Sequence, residues 1–165
     1  MCCWGLFVIG ANFIRKLILS QIPTETRIHK LSDYYISLKR TSCSHIPNWS
    51  SFSPMDVAGT LPWMAVIERT NENLSEHRIK LIGESLIRLM GKNFTGYRLD
   101  EVLCGDKSND HWMDIQTVVK SRDPSFTESV IPVKDRDYNT IIRGCFPFCD
   151  ENKEIIRLIV VVDVL

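Results

Sequence analysis

Leu158-Ile159-Val160-Val161-Val162, five aliphatic residues in a row near the end of the 165-residue chain, decides the fold. Successive side chains of a strand point to opposite faces, so a strand apolar at both parities is covered on both sides. The strand spanning 154–164 therefore needs an interior under one face of its sheet and a lid over the other. Two further strands, 125–132 and 138–146, precede it, so three strands close the chain. Upstream of them a longer helix, 106–122, carries Trp112, Ile115, Val118 and Val119 and stops ahead of Pro124. Before that, a helix opening at Gly83 carries Leu86, Ile87, Leu89 and Met90 and closes on Gly91 as a left-handed cap, and a helical turn follows over 96–102. Earlier still, the apolar run 61–67, a polar turn over 68–76 and the alternating stretch 77–82 read as a hairpin.

The lid has a candidate. Residues 24–40 place Ile28, Leu31, Tyr35 and Leu38 on one helical stripe, with Arg27, Lys30, Asp33 and Lys39 opposite. This helix covers the second sheet face in cis or comes from a dimer partner, and its stripe is the candidate dimer or partner surface. Residues 41–53 form a serine-rich loop, and Ser53-Pro54-Met55-Asp56 reads as a capped first turn running to about Gly59. The chain thus divides into an apolar extension (1–23), a helix with its connecting loop (24–60) and an α+β core (61–165).

Composition narrows the function. Apolar residues make up 44% of the chain, enough for a real core, and 20 basic residues balance 20 acidic ones. A nucleic-acid binder usually carries a strong basic surplus, so nucleic acid is not the expected partner. The first 53 residues are nonetheless positive and the remainder negative, by four charges each. Six cysteines, at 2, 3, 43, 104, 145 and 149, show no secreted disulfide spacing and read as reduced thiols of a cytoplasmic protein. The sequons at Asn48, Asn73 and Asn93 mean nothing without secretion. The segment 1–19 is apolar, but Arg15 and Lys16 follow rather than precede its core, unlike a signal peptide, and the run is short for a bilayer span. It is a helix packed on a partner surface, a misassigned start, or a peripheral membrane anchor.

Two strands, several short helices, one longer helix and three strands is the order of the PAS superfamily. More specifically, the sequence resembles a family of small stand-alone PAS-like proteins best known from alphaproteobacteria. The likeness is carried by the aromatic pair Tyr34-Tyr35, Pro47, Ser53-Pro54-Met55-Asp56, Leu61-Pro62 and Arg78-Ile79-Lys80-Leu81-Ile82-Gly83. It continues through Gly91-Lys92-Asn93-Phe94-Thr95-Gly96, Pro124 and Phe146-Pro147-Phe148, covering about 28–165. Glu84 departs from the family's small polar residue, and residues before 24 have no counterpart. The resemblance implies a PAS fold: a five-stranded antiparallel sheet, short helices over one face, a pocket between, and the N-terminal helix over the other face or in a dimer. It implies no particular ligand.

Motifs for chemistry are sparse. Lys92 follows the first glycine of 91–96 instead of the second, so the stretch is not a phosphate loop. Photocycling flavin PAS domains need a cysteine in this link, whereas this chain has Phe94 there and no cysteine until Cys104. Non-covalent flavin stays open. His111, early on the long helix, is the one position for an axial haem ligand, but a lone histidine beside Asp110 reads first as a solvated polar residue. Cys145/Cys149 and Cys43/His45 do not have zinc spacing, Asp100/Glu101 and Asp135/Asp137 read as solvated surface, and no catalytic elbow or metalloprotease helix occurs. No cofactor is required by the sequence, and no catalytic or metal residue is assigned.

The candidate ligand pocket comprises Ile79, Leu81, Leu86, Met90, Phe94, Trp112, Ile115, Val130, Ile142 and Ile159. Periodicity reports burial and not voids, so a pocket and a filled core read alike. The expectation is a cytoplasmic PAS-type regulatory module without an attached output domain. It is not an enzyme, and acts through a small-molecule ligand, a homodimer or another protein partner. The alternative is a pure interaction module with a filled core.

Overall fold

The computed structural model describes residues 14–42, 44–70, 76–103, 109–130 and 140–165, with the backbone alone at 109 and 110. The expectations for residues 1–13, Cys43, Cys104, Asp135 and Asp137 lie outside the described residues.

The elements run β1 (Arg15–Leu17), α1 (Arg27–Thr41), a 3-10 segment (Pro54–Trp63), β2 (Met64–Glu68), β3 (Arg78–Ile82), α2 (Glu84–Met90), α3 (Leu99–Val102), α4 (Asn109–Ser121), β4 (Ser125–Val130), β5 (Thr140–Cys149) and β6 (Ile155–Val164). All strand pairings are antiparallel, in the order β1-β4-β5-β6-β2-β3. Five strands, β2 to β6, are those expected. The sixth, β1, adds to the free edge of β4, where Arg15 pairs with Glu128 in both register and charge. Residues 15–17 therefore belong to the sheet rather than to an N-terminal helix.

β6 lies near the middle, between β5 and β2, and its two parities feed two cores. Leu158, Val160 and Val162 join a core with α2, α3 and α4, while Ile159 and Val161 join another beneath α1. The double burial read from the sequence is thus satisfied within one chain.

α1 is the second lid. Its first turn is capped twice: Thr26 Oγ1 accepts from His29 N at 3.2 Å, and Asp163 at the end of β6 accepts from Ile28 N at 3.1 Å and from Arg27 at 2.7 Å. Lys39 and Arg40 sit in its last turn, where the helix dipole favours cations. Ile28, Leu31 and Tyr35 are fully buried, Leu38 packs half-buried beside them, and the Tyr35 hydroxyl donates to the Pro147 carbonyl at 2.9 Å. This corrects the partner-surface expectation: the stripe is covered by the chain's own sheet, since the two-sided β6 claims it. Burial drives the Tyr35 phenol above its ordinary range.

Three boundaries move. Leu61, Pro62 and Trp63 continue the 3-10 segment instead of opening β2, because Gly83 packs against their backbone: an added Cβ would sit 2.2 Å from the Leu61 carbonyl oxygen. α2 starts at Glu84 and ends at Gly91, whose φ of 77° is the left-handed cap expected. β5 runs through Pro147 to Cys149, since β4 pairing ends at Cys145 and leaves that stretch an edge on one side, where proline is tolerated.

Candidate functional site

A cavity of about 90 Å³ lies between the sheet and α2, α3 and α4. β3 supplies Ile79 and Ile82, β2 Ala65 and Ile67, and β6 Val160 and Val162; Leu86 and Met90 of α2 and Ile115 of α4 close it from the helical side. The wall is apolar except at one end, where His111 of α4 and Arg143 of β5 reach it.

That end is a buried polar chain. Arg143 is 7% exposed and His111 2% exposed. One Arg143 Nη donates to His111 Nδ1 at 2.5 Å, and the other pairs with Asp114 Oδ2 at 2.6 Å. The second Asp114 oxygen accepts from Ser125 Oγ at 2.7 Å. An arginine can only donate, so Nδ1 is the acceptor, the imidazole is neutral, and its Nε2–H is left for the backbone of Val130. Burial first, and the Arg143 charge second, push the His111 pKa down to about 3. Asp114 balances Arg143, so the chain is neutral as a unit. Arg143 Nε, however, has no hydrogen-bond partner, and neither do the buried Thr127 Oγ1 and Ser129 Oγ on adjoining β4.

Of the residues singled out from the sequence, Ile79, Leu86, Met90 and Ile115 line the cavity. Phe94 and Trp112 pack against the same core without reaching its wall. Ile142 and Ile159 face α1 on the other side of the sheet, a parity their uniformly apolar strands do not reveal. Val130 alternates away from Thr127 and Ser129, and contributes its backbone to His111. Leu81 is 51% exposed: a bulge opposite Val66/Ile67 turns Ile79 and Ile82, three apart, to the same face and sends Leu81 to the other. There it borders an open apolar groove of about 520 Å³ with Trp49, Phe52 and Pro62.

His111 is the largest correction. It is not solvated, and both ring nitrogens are engaged, which leaves none for an axial haem bond. The cavity is also smaller than the roughly 300–1,000 Å³ of typical cofactor-sized sites, so it does not fit a flavin. Two signals were available in the sequence. His111 and Asp114 stand three apart on one helical face, and Arg143 shares the parity of Ile141 and Cys145 within an apolar strand.

The thiols of Cys145 and Cys149 are free and buried, and burial pushes Cys145 up to about 12. His45 pairs with Asp123 at 3.0 Å on the surface. Among the described residues no group of three or more His, Cys, Asp or Glu is placed to hold a metal ion, and no helix is long and apolar enough to cross a membrane.

Two strands, helices over one face of an antiparallel sheet, three closing strands and a cavity between the layers are all on the molecule. The chain has the PAS fold. No protein-family model matches the sequence, and no curated protein matches it. Among solved structures it is similar to a sensory box sensor histidine kinase from Vibrio cholerae, at 12% identity and a TM-score of 0.48, covering 62% of this chain and 79% of that one. It is similar to the PAS domain of Bordetella pertussis BvgS, at 12% identity and a TM-score of 0.43, covering 82% and 84%. A PAS domain from Colwellia psychrerythraea gives 14% identity and a TM-score of 0.46, covering 66% and 92%. At such identities and scores the PAS assignment rests on the chain's own element order and layers.

Proposed function

We propose that this PAS domain is a sensory and regulatory module whose sensing site is the cavity under α2, α3 and α4, and whose output face is α1. The observation that carries the reading is the apolar cavity with one polar end, in the layer where a filled core would leave none. Support for the output path lies in β5 and β6. Ile141, Arg143, Val160 and Val162 face the cavity, while their neighbours Ile142, Phe146, Ile159 and Val161 face α1. A ligand that favours one packing of these strands biases α1 by its differential affinity. The module binds rather than catalyses, since the histidine at the cavity is held at both nitrogens and offers no free base. The motifs from Tyr34-Tyr35 to Phe146-Pro147-Phe148 support membership of the alphaproteobacterial PAS-like family, and the free thiols Cys145 and Cys149 support a cytoplasmic setting. The partner is a protein, met through the outer side of α1 or the groove beside Leu81.

Xenon, which enters dry apolar cavities, is the probe. Amide and methyl NMR shifts under xenon pressure should centre on Ile79, Leu86 and Ile115, and hydrogen exchange in α1 should change with them. An unshifted cavity overturns the sensing site and leaves the interaction module. A shifted cavity with an unchanged α1 overturns the output path.

A further inference from the structure

The polar end of the cavity is closed to a guest. Among the described residues only two lining side chains carry nitrogen or oxygen, His111 and Arg143. His111 accepts from Arg143 at Nδ1 and donates to the Val130 backbone, and the two Arg143 Nη atoms are bonded to His111 and Asp114. Arg143 Nε is unpaired, but it is sealed within the protein and has no surface open to the cavity. No side-chain donor or acceptor at the wall is therefore left for a ligand.

The rest of the wall is alanine, valine, isoleucine, leucine and methionine, and Phe94 and Trp112 pack against the same core without reaching it. Sites for polar ligands place a few polar groups to fix orientation, and flat ring systems gain from aromatic partners. This wall has neither. A polar group carried inside would give up its water for no hydrogen bond, whereas an alkyl chain gains from burial and dispersion alone.

The cavity is half open, and its lining shows where. Leu89 and Met90 at the end of α2 and Leu103 just past α3 are partly exposed, while the other lining residues are buried. The cavity thus meets water through an apolar mouth, and Met90 gives that mouth an unbranched side chain that adapts to what passes. A chain can enter there while a polar head stays hydrated outside. Resting on the reading of this cavity as the sensing site, we propose that its ligand is a free single-chain amphiphile. Its aliphatic chain lies among Ile79, Leu86 and Ile115, and its head group stays in water beyond Leu89, Met90 and Leu103.

Wild-type protein is titrated with octanoate, hexanoate and octyltrimethylammonium below their micelle-forming concentrations, and with indole as a flat aromatic probe. Methyl NMR follows Ile79, Leu86 and Ile115 at the cavity, with Ile28 and Leu31 of the other core as controls. Octanoate and octyltrimethylammonium should shift the cavity methyls alone and bind within about threefold of each other, because the head lies outside and the chain is shared. Hexanoate should bind about fifteenfold weaker than octanoate, since each buried methylene is worth about fourfold. A difference above about tenfold between the two head groups would place the head inside and overturn the proposal. Tighter binding of indole than of octanoate overturns the aliphatic class, and shifts of equal size in both cores show detergent action and overturn the site. If xenon enters the cavity and no chain does, the ligand class is wrong while the sensing site stands. If neither xenon nor a chain reaches the cavity methyls, the sensing-site reading fails together with this one.

Discussion

Replacing Asp114 by leucine tests the buried polar chain most directly. The Asp114 and Arg143 side chains are 2% and 8% exposed, and their 2.6 Å bond is shielded from salt and solvent. Removing the carboxylate leaves the guanidinium buried against a neutral imidazole. Breaking such a pair from one side costs about 3–5 kcal/mol, because the remaining charge is uncompensated. For a chain of this size that is a fall in Tm of about 6–20 °C. Arg143→Met should cost less, since Asp114 retains the hydrogen bond from the Ser125 hydroxyl. The double variant, with both charges gone and similar volume kept, should recover most of the loss. It should stay about 1 kcal/mol below wild type, because His111 Nδ1 and the Ser125 hydroxyl lose their partners. Urea unfolding followed by tryptophan fluorescence, with Trp112 on α4 as an internal reporter, measures all four proteins. The coupling energy from that cycle should be at least about 2 kcal/mol. An Asp114→Leu protein within about 1 kcal/mol of wild type, or a double variant no better than its worse parent, would refute the idea of a charge-compensated interior.

Three further outcomes follow from the same packing. His111 titrates near 3 when folded, through burial and then Arg143. The unfolded chain takes up that proton first as pH falls, so stability is full well above pH 6.5, begins to fall near it, and drops by about 1.4 kcal/mol per unit from there towards pH 3. Wild type should therefore lose about 2 kcal/mol more than His111→Asn between pH 6.5 and 4.5, and parallel unfolding curves for the two would contradict it. Leu31→Ala should destabilise by about 2–5 kcal/mol, as a cavity under α1, without changing the mass of the folded species by light scattering. A change of oligomeric state at preserved stability would return Leu31 to a partner interface. Gly83→Ala and Gly91→Ala separate two glycine roles. The first should cost about 1–3 kcal/mol or more, because its Cβ meets the Leu61 carbonyl. The second should cost about 1 kcal/mol, from its positive φ alone. Equal melting temperatures for the two variants would reject the close approach at Gly83.

The helices and strands were legible because their signals are local. The Ile28–Leu38 stripe, the Gly91 cap and the two-sided run 158–162 each declare themselves within a few turns or one strand. Layer architecture followed from β6, since a strand apolar at both parities cannot lie on a surface. Boundaries failed where a distant backbone intervened, as with Gly83 against Leu61 and Pro62, or the end of β4 beside Pro147. The sixth strand was missed because β1 is three residues long, and its evidence, Glu128 opposite Arg15, sits 113 positions away.

By itself the sequence determined that this chain builds an α+β core with one strand sandwiched between layers, because alternation and burial are properties of neighbouring residues. Tertiary structure decided which side each apolar residue serves. In strands such as β5 and β6 both parities look alike, and in β3 a bulge alone turned Leu81 outward. Tertiary structure also decided that α1 covers its own sheet, that a cavity persists beneath α4, and that His111 and Asp114 meet Arg143. Voids and buried charge pairs depend on the distances between elements, and no local periodicity encodes those.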